Sequence, residues 1–160
     1  MNNLIKQTLK IIAPNCFFSE KIVFFHIISR YFKIRNFKIL SKFLDGHIYK
    51  KYHCNIEAGC EIGKKCVFPH PIGIVIGSGV KIGENVKIFQ NVTIGGKRNK
   101  QNEELIDYPV IHDNVKIFGN TIILGSVEIG SGAIIGACSL VLNDVPPNAI
   151  YAGCPAKMIN

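Results

Sequence analysis

A histidine held between two prolines, Pro69-His70-Pro71, is the residue of this chain best suited to acid–base chemistry. Imidazole is the side chain whose ordinary pKa lets it take up and release a proton near neutral pH. Proline on either side narrows the backbone's freedom, so the ring is presented from a nearly fixed point. A general base needs that, because it must stay within hydrogen-bond range of the hydroxyl it deprotonates. The other histidines are less well placed. His26 and His47 fall in a helical stretch and are expected against solvent or helix packing, and His53 precedes the repeat described below. His112 stands in Ile111-His112-Asp113-Asn114, a surface corner. The six cysteines, at 16, 54, 60, 66, 138 and 154, contain no Cys-x-x-Cys pair, so no metal site is expected. A cysteine nucleophile is disfavoured too, since none adjoins His70.

The element that positions His70 announces itself as a period of six. Ile56, Ile62 and Phe68 are six apart; so are Ile76, Ile82, Ile88 and Ile94, and then Ile111, Ile117, Ile123, Ile129, Ile135 and Val141. Two residues ahead of most of them lies a second small or apolar residue: Cys60, Cys66, Ile74, Val80, Val86, Val92, Val115, Val127 and Ala133. Glycine often follows, as in Ile62-Gly63, Ile76-Gly77, Ile82-Gly83, Ile94-Gly95, Ile129-Gly130 and Ile135-Gly136. Neither an alternating strand nor a 3.6-residue helix sustains such a period. A three-sided β-solenoid does: six residues make one flat side, glycine or asparagine relieves the corner, and three sides close a coil on a continuous aliphatic core. Cys60 and Cys66 then read as small inward-facing residues. The predicted fold is mainly β, a parallel β-helix over residues 53–160, behind a short α-helical segment over residues 1–52.

The repeat breaks twice, and breaks are where function can be added without disturbing the stacked core. Phe68 to Ile76 spans eight residues instead of six, so two extra residues bulge from a wall, with His70 in the bulge. The second break is the polar excursion Gly96 to Asp107 (GKRNKQNEELID), which predicts a protruding loop over 96–109, as a hairpin arm or a lid.

In the helical segment, Leu4, Leu9, Ile11 and Ile12 suggest one short helix ending at Pro14-Asn15. Ser19 is a candidate cap for a second, through Ile22, Val23, Phe25, Ile28 and Phe32, and a third runs from Phe37 to Leu44, ending at Asp45-Gly46. The net charge of +8 resides wholly here: residues 1–51 hold ten Lys/Arg against Glu20 and Asp45, and the remainder is balanced. No aromatic-and-basic motif of a nucleic-acid module accompanies the charge, so no nucleic-acid partner is expected. Two readings remain open, a solvated helix face and peripheral contact with an anionic membrane surface. His26, Arg30 and Lys33 interrupt the longest apolar stretch, so a membrane span is not expected; Lys6 and Lys10 argue against a signal peptide, which predicts a cytoplasmic protein, at the inner face of the membrane if the second reading holds.

The repeat resembles that of the hexapeptide-repeat acyltransferases, whose solenoid is left-handed. The strings FPHPIGIVIGSGVKIGENVKIFQNVTIGG, YPVI and IGACSLVLNDVPPNAIYAGCPAKMI are similar to the serine acetyltransferase branch, which also contains shorter enzymes that acetylate capsule and exopolysaccharide sugars. The resemblance implies a homotrimer with acetyl-CoA in a groove between adjacent solenoids, and His70 as the catalytic histidine. It also implies cofactor contacts from the backbone of Gly119 and Ala137, from Gly95 and Gly96 before the loop, and from Lys157 near the C-terminal tail. The departures concern the acceptor. Asn55 stands where serine acetyltransferases carry the Asp that orients the base, and Pro69 replaces an acid. Tyr108 replaces a second histidine and Asp107 an arginine that would meet the carboxylate of serine.

These readings give a working mechanism. His70 removes the acceptor's proton as the hydroxyl attacks the thioester, Asn55 (or Glu57) holds the imidazole tautomer, and backbone N–H groups around Gly73–Ile76 stabilise the oxyanion. Asp107 and Tyr108 meet the acceptor. The expected acceptor is a sugar or polysaccharide-precursor hydroxyl, with serine O-acetylation as the alternative. A non-catalytic solenoid scaffold is the second alternative.

Overall fold

The chain's repeat closes into a prism of stacked coils, capped at one end by a helical hairpin. The structure, a computed structural model, describes residues 18–98 and 106–159. The helix expected over the first dozen residues, Cys16 and the tip of the 96–109 loop lie outside the described residues.

Three parallel sheets form the walls. Wall 1 stacks β1 (Asn55–Ile56), β3 (Val75–Ile76), β6 (Thr93–Gly95), β11 (Ile122–Leu124) and β14 (Leu140–Val141). Wall 2 stacks β2 (Glu61–Ile62), β4 (Lys81–Ile82), β9 (Val110–Ile111) and β12 (Glu128–Ile129). Wall 3 stacks β5 (Lys87–Ile88), β10 (Lys116–Ile117), β13 (Ile134–Ile135) and β15 (Ile150–Ala152), where β16 (Lys157–Met158) returns antiparallel to β15. In wall 1, Asn55 pairs with Val75, Val75 with Thr93, Thr93 with Ile122 and Ile122 with Leu140, steps of 20, 18, 29 and 18 residues. A regular coil is therefore eighteen residues. The coil of His70 is two residues overlong and the next-but-one carries the long excursion, as the breaks in the repeat predict.

Each two-residue strand points one side chain out and one in. The inward series Ile56, Phe68, Ile76, Ile82, Ile88, Ile94, Ile111, Ile117, Ile123, Ile129, Ile135 and Val141 is buried, with Ile62 only partly covered. Cys60 and Cys66 are buried within the same core, and burial pushes the Cys60 thiol up to about 12 and that of Cys66 upward. Neither is a nucleophile at neutral pH. The excursion begins as a two-stranded antiparallel arm, β7 (Lys97–Arg98) against β8 (Ile106–Asp107), so its described base is a hairpin arm.

The hairpin consists of α1 (Phe18–Ile34) and α2 (Lys38–Tyr52). Two expectations are corrected here. Ser19 does not cap a helix: it lies inside α1, where its hydroxyl donates to the Phe68 carbonyl at 2.8 Å and accepts from the Phe68 N–H at 3.0 Å. Nor does α2 stop at Asp45-Gly46. It runs on to Tyr52, because Ile48 and Tyr52 bury against the first coil and outweigh the roughly 1 kcal/mol penalty of an interior glycine. Arg30 bonds the Gly59 and Cys60 carbonyls at 2.8 and 3.1 Å and pairs with Glu61 at 2.7 Å, while Lys33 reaches Ser78 at 2.9 Å. The hairpin and the first coil thus share one core.

His26 is buried in that core, with Nε2 3.3 Å from the Cys60 carbonyl. Burial, above all, pushes its pKa from 6.5 down to about 4, against a smaller upward pull from the Cys60 carbonyl and Asp45. The folded ring stays neutral while the unfolded one takes a proton, so stability is lost as pH falls from about 6.5 to 4, by roughly 3 kcal/mol. Urea midpoints at pH 7.5 and pH 5 measure this. The wild-type midpoint is expected to drop, and the drop to shrink in His26→Gln; equal drops in both would assign the loss to other groups.

Candidate active site

The prism has three edges, and two of them carry the candidate residues. Edge one is where wall 3 turns into wall 1. There Gly73, Asn91, Asn120 and Cys138 stack on successive coils, all with left-handed backbone, φ +68°, +54°, +60° and +58°. Glycine and asparagine tolerate that conformation best, which explains three of the four residues. Asn91 further donates its side-chain amide to Asn120 at 3.1 Å. Immediately before each of these stand Ile72, Gln90, Gly119 and Ala137, so His70 heads a column in which Gly119 and Ala137 lie two and three coils on.

The loop that carries His70 is tied down on both sides. The Ile72 N–H donates to the His70 carbonyl at 2.8 Å, a three-residue turn whose centre, Pro71, has the fixed φ such turns use. The Cys54 thiol donates to the Pro71 carbonyl at 2.9 Å, and the Gly73 N–H to the His53 carbonyl at 2.9 Å. The His70 ring itself is exposed on the edge, its centroid 6.4 Å from that of Phe89, which stacks on Phe118 at 4.9 Å and 18°. Asn55 lies directly below this loop, its N–H on the Ile74 carbonyl at 2.8 Å, and its side chain makes no hydrogen bond to the imidazole among the described residues.

Two of the backbone donors expected around Gly73–Ile76 are already engaged. The Gly73 and Val75 amides already donate to His53 and Val92, each at 2.9 Å, because the overlong corner rejoins the coil ladder at Gly73.

Gly119 has a packing reason to be glycine. A Cβ there would stand 2.8 Å from Gln90 Nε2 and 3.2 Å from the Gln90 carbonyl. Ala137 is exposed, and Lys157 is exposed opposite Ala152, one coil further along the same edge.

Edge two, where wall 1 turns into wall 2, holds the rest. Gly95 ends β6, its carbonyl accepting from Gly125 at 3.1 Å, and Gly96 opens the arm. The Tyr108 ring lies over Gly77, Gly79 and Gly96; a Cβ would meet it at 2.9 Å from Gly77 and at 2.8 Å from Gly96. Asp107 is half-buried in the arm, in register with Lys97. Within one chain, then, His70, Gly119, Ala137 and Lys157 share edge one, and Gly95, Gly96, Asp107 and Tyr108 share edge two. Wall 1 lies between them.

Among the three, that wall is the one with no charged residue in its outward row. Its outward residues above Asn55 are Val75, Thr93, Ile122 and Leu140, joined by Leu124 and Leu142. Wall 2 turns Glu61, Lys81, Val110 and Glu128 outward, and wall 3 turns Lys87, Lys116, Ile134 and Ile150.

Phe89, Phe118 and Gln90 escaped the sequence reading. A signal for the two rings existed: Phe89 and Phe118 follow inward isoleucines at places where the repeat commonly has glycine. Gln90 Oε1 is buried with no hydrogen-bond partner among the described residues, a feature only coordinates disclose.

Comparison with known proteins gives a consistent picture. Residues 108–143 match the family model described as bacterial transferase hexapeptide (six repeats). The chain is 39% identical over 135 residues to the serine acetyltransferase of Buchnera aphidicola subsp. Acyrthosiphon pisum, covering 83% of this chain and 48% of that protein. It is 35% identical over 133 residues to the serine acetyltransferase of Haemophilus influenzae, covering 83% and 49%. The chain thus spans about half the length of the curated relatives it matches. Among solved structures, a serine acetyltransferase in complex with CoA superposes with a TM-score of 0.80 at 34% identity, over 88% of this chain and 56% of that one. The Neisseria gonorrhoeae serine acetyltransferase in complex with serine gives 0.83 at 29%, over 99% and 69%.

Proposed function

Since the chain belongs to the hexapeptide-repeat acyltransferases, in their serine acetyltransferase-like branch, we propose that it transfers acetyl from acetyl-CoA to an alcohol hydroxyl, with His70 as general base. One observation carries this reading: the base protrudes at the head of edge one, beside a column of small residues, Gly119 and Ala137, along which a thin acyl carrier can lie. Acetyl-CoA is a substrate here. His70 takes the hydroxyl proton while the oxygen attacks the thioester carbon, and CoA leaves as its thiolate. Asn55, or Glu57 in its place, is the group proposed to orient the imidazole; an amide orients but stabilises the imidazolium less than a carboxylate does.

The site is completed by a second copy. Edge one and edge two flank the same apolar wall, so a contact that packs one chain's wall 1 against its neighbour joins unlike edges. Such a head-to-tail contact closes a ring when its rotation allows, and the closed form proposed is a trimer of left-handed coils. Lys157, Gly119 and Ala137 of one copy, with Gly95 and Gly96 of the next, then line the acetyl-CoA groove, and Asp107 and Tyr108 face the acceptor.

For the acceptor, the relatives favour serine over the sugar hydroxyl expected from the sequence: serine acetyltransferase is the activity in the names of those compared, and one was solved with serine bound. Serine is therefore the first acceptor to test. The sugar reading keeps one specific support, Asp107, which as an acid repels the carboxylate that a serine pocket must hold. Release of CoA thiol with free serine, nucleotide sugars and capsule oligosaccharides as acceptors decides between them. Turnover with serine at least tenfold above the sugars supports the first reading. The reverse order supports the second, and CoA release with none of them would leave the scaffold alternative.

A further inference from the structure

The outward face of α2 is apolar and basic at once, and nothing in the proposed chemistry uses it. One side of this helix, Ser41, Ile48 and Tyr52, is buried. Helical geometry sets Ile39, Phe43, Gly46 and Lys50 on the opposite side, spaced by four, seven and eleven residues from the first. Ile39 is 89% exposed and Phe43 72%, and Phe37, just before the helix, is 60% exposed. A soluble helix rarely sets isoleucine and phenylalanine at the centre of its solvent face. Lys38 and Lys42 flank them on one side and Lys50 and Lys51 lie toward the helix end, all exposed. Gly46 leaves a shallow groove among Lys42, Phe43, His47, Lys50 and Lys51.

The basic residues of the hairpin divide by role. Arg30 and Lys33 are spent on the first coil, and Arg35 lies over the Tyr31 ring at 4.3 Å. Those of α2 face outward, and its single acid, Asp45, is bonded to Ser29 on the inner side. The face therefore carries positive charge with no acid among it. A second copy of this chain docked there face to face would set like charges together, whereas an anionic surface complements them.

We propose that this face docks on an anionic lipid surface, Ile39 and Phe43 entering the interfacial region while Lys38, Lys42 and Lys50 meet the headgroups. The contact is interfacial and does not span: among the described residues no helix is long and apolar enough to cross a membrane. Such helices bind by apolar burial together with attraction to anionic lipid, so both must matter and salt must weaken the second.

Co-sedimentation of the full chain with vesicles tests this. Phosphatidylcholine vesicles are compared with vesicles in which about a third of the lipid is phosphatidylglycerol. The protein is expected to sediment with the anionic vesicles only, and to be released as salt rises from about 0.1 to 0.5 M. Ile39→Glu/Phe43→Glu and Lys42→Glu/Lys50→Glu are each expected to lower partition at least about tenfold while acetyl transfer to a soluble acceptor is unchanged. Both pairs sit on the exposed face, and the lysine pair leaves every apolar contact in place should the first pair fold poorly. Equal binding to neutral vesicles, binding to neither, or partition unchanged in the lysine pair overturns the proposal. So does a fall in oligomer mass with either pair, which would give the face to a second copy.

Discussion

His70→Ala is expected to lower acetyl transfer by about 10²–10⁴-fold while the coil stays folded, the range that removal of a positioned general base produces. The fold is spared because the loop does not depend on the imidazole. Its ties are the backbone of His70, Pro71 and Gly73 and the thiol of Cys54. The ring is exposed, and its one aromatic neighbour among the described residues is Phe89. Thiol release measured at saturating acetyl-CoA, with the melting temperature alongside, separates the two effects. A variant with nearly full turnover would remove His70 from the chemistry. A variant with lost turnover and a collapsed melting temperature would assign it a structural role.

Ile122→Glu is expected to break the assembly and, with it, activity. Ile122 is the outward residue at the middle of wall 1, between Thr93 below and Leu140 above. In the lone chain the new carboxylate points to water and costs the coil little. In the proposed ring each copy would bury it against its neighbour, at several kcal/mol per contact. At about 1.4 kcal/mol per factor of ten, association falls by two orders of magnitude or more. Light scattering is expected to give single-chain mass, and transfer is expected to fall at least about 100-fold, because a lone chain keeps its two edges apart on either side of wall 1. Full activity in a single-chain species would mean the site is complete within one copy.

How much of this was readable beforehand depends on what each residue answers to. Inward residues answer to the coil's period, so Ile76 or Ile117 declares its place by spacing alone, and so does the two-residue excess that lifts His70. The ends of helices declare themselves less well. Ser19 has the chemistry of a cap, yet its hydroxyl is taken by Phe68, distant in sequence. Asp45-Gly46 has the chemistry of a stop, yet burial of Ile48 and Tyr52 carries the helix through. Local preference was overridden by tertiary contact in both. His26 is the same case, a polar residue buried by a fold its own neighbourhood does not specify. The candidate site was legible residue by residue but not as a place, because its members fall on two edges separated by wall 1. The outward apolar column of Val75, Ile122 and Leu140 was in the sequence throughout, hidden by alternation with the inward series.

The shared site is tested most directly by mixing two inactive variants. His70→Ala disables edge one. Gly95→Arg obstructs edge two, and the coil should accept it, since a Cβ at Gly95 meets only the end of the Leu124 side chain, at 3.2 Å. Unfolded together in equal amounts and reassembled, the two are expected to recover about one quarter of wild-type turnover, because one contact in four then joins an intact edge one to an intact edge two. The double variant reassembled alone should recover none. A mixture of full trimer mass that is no more active than its components would contradict a site shared between copies.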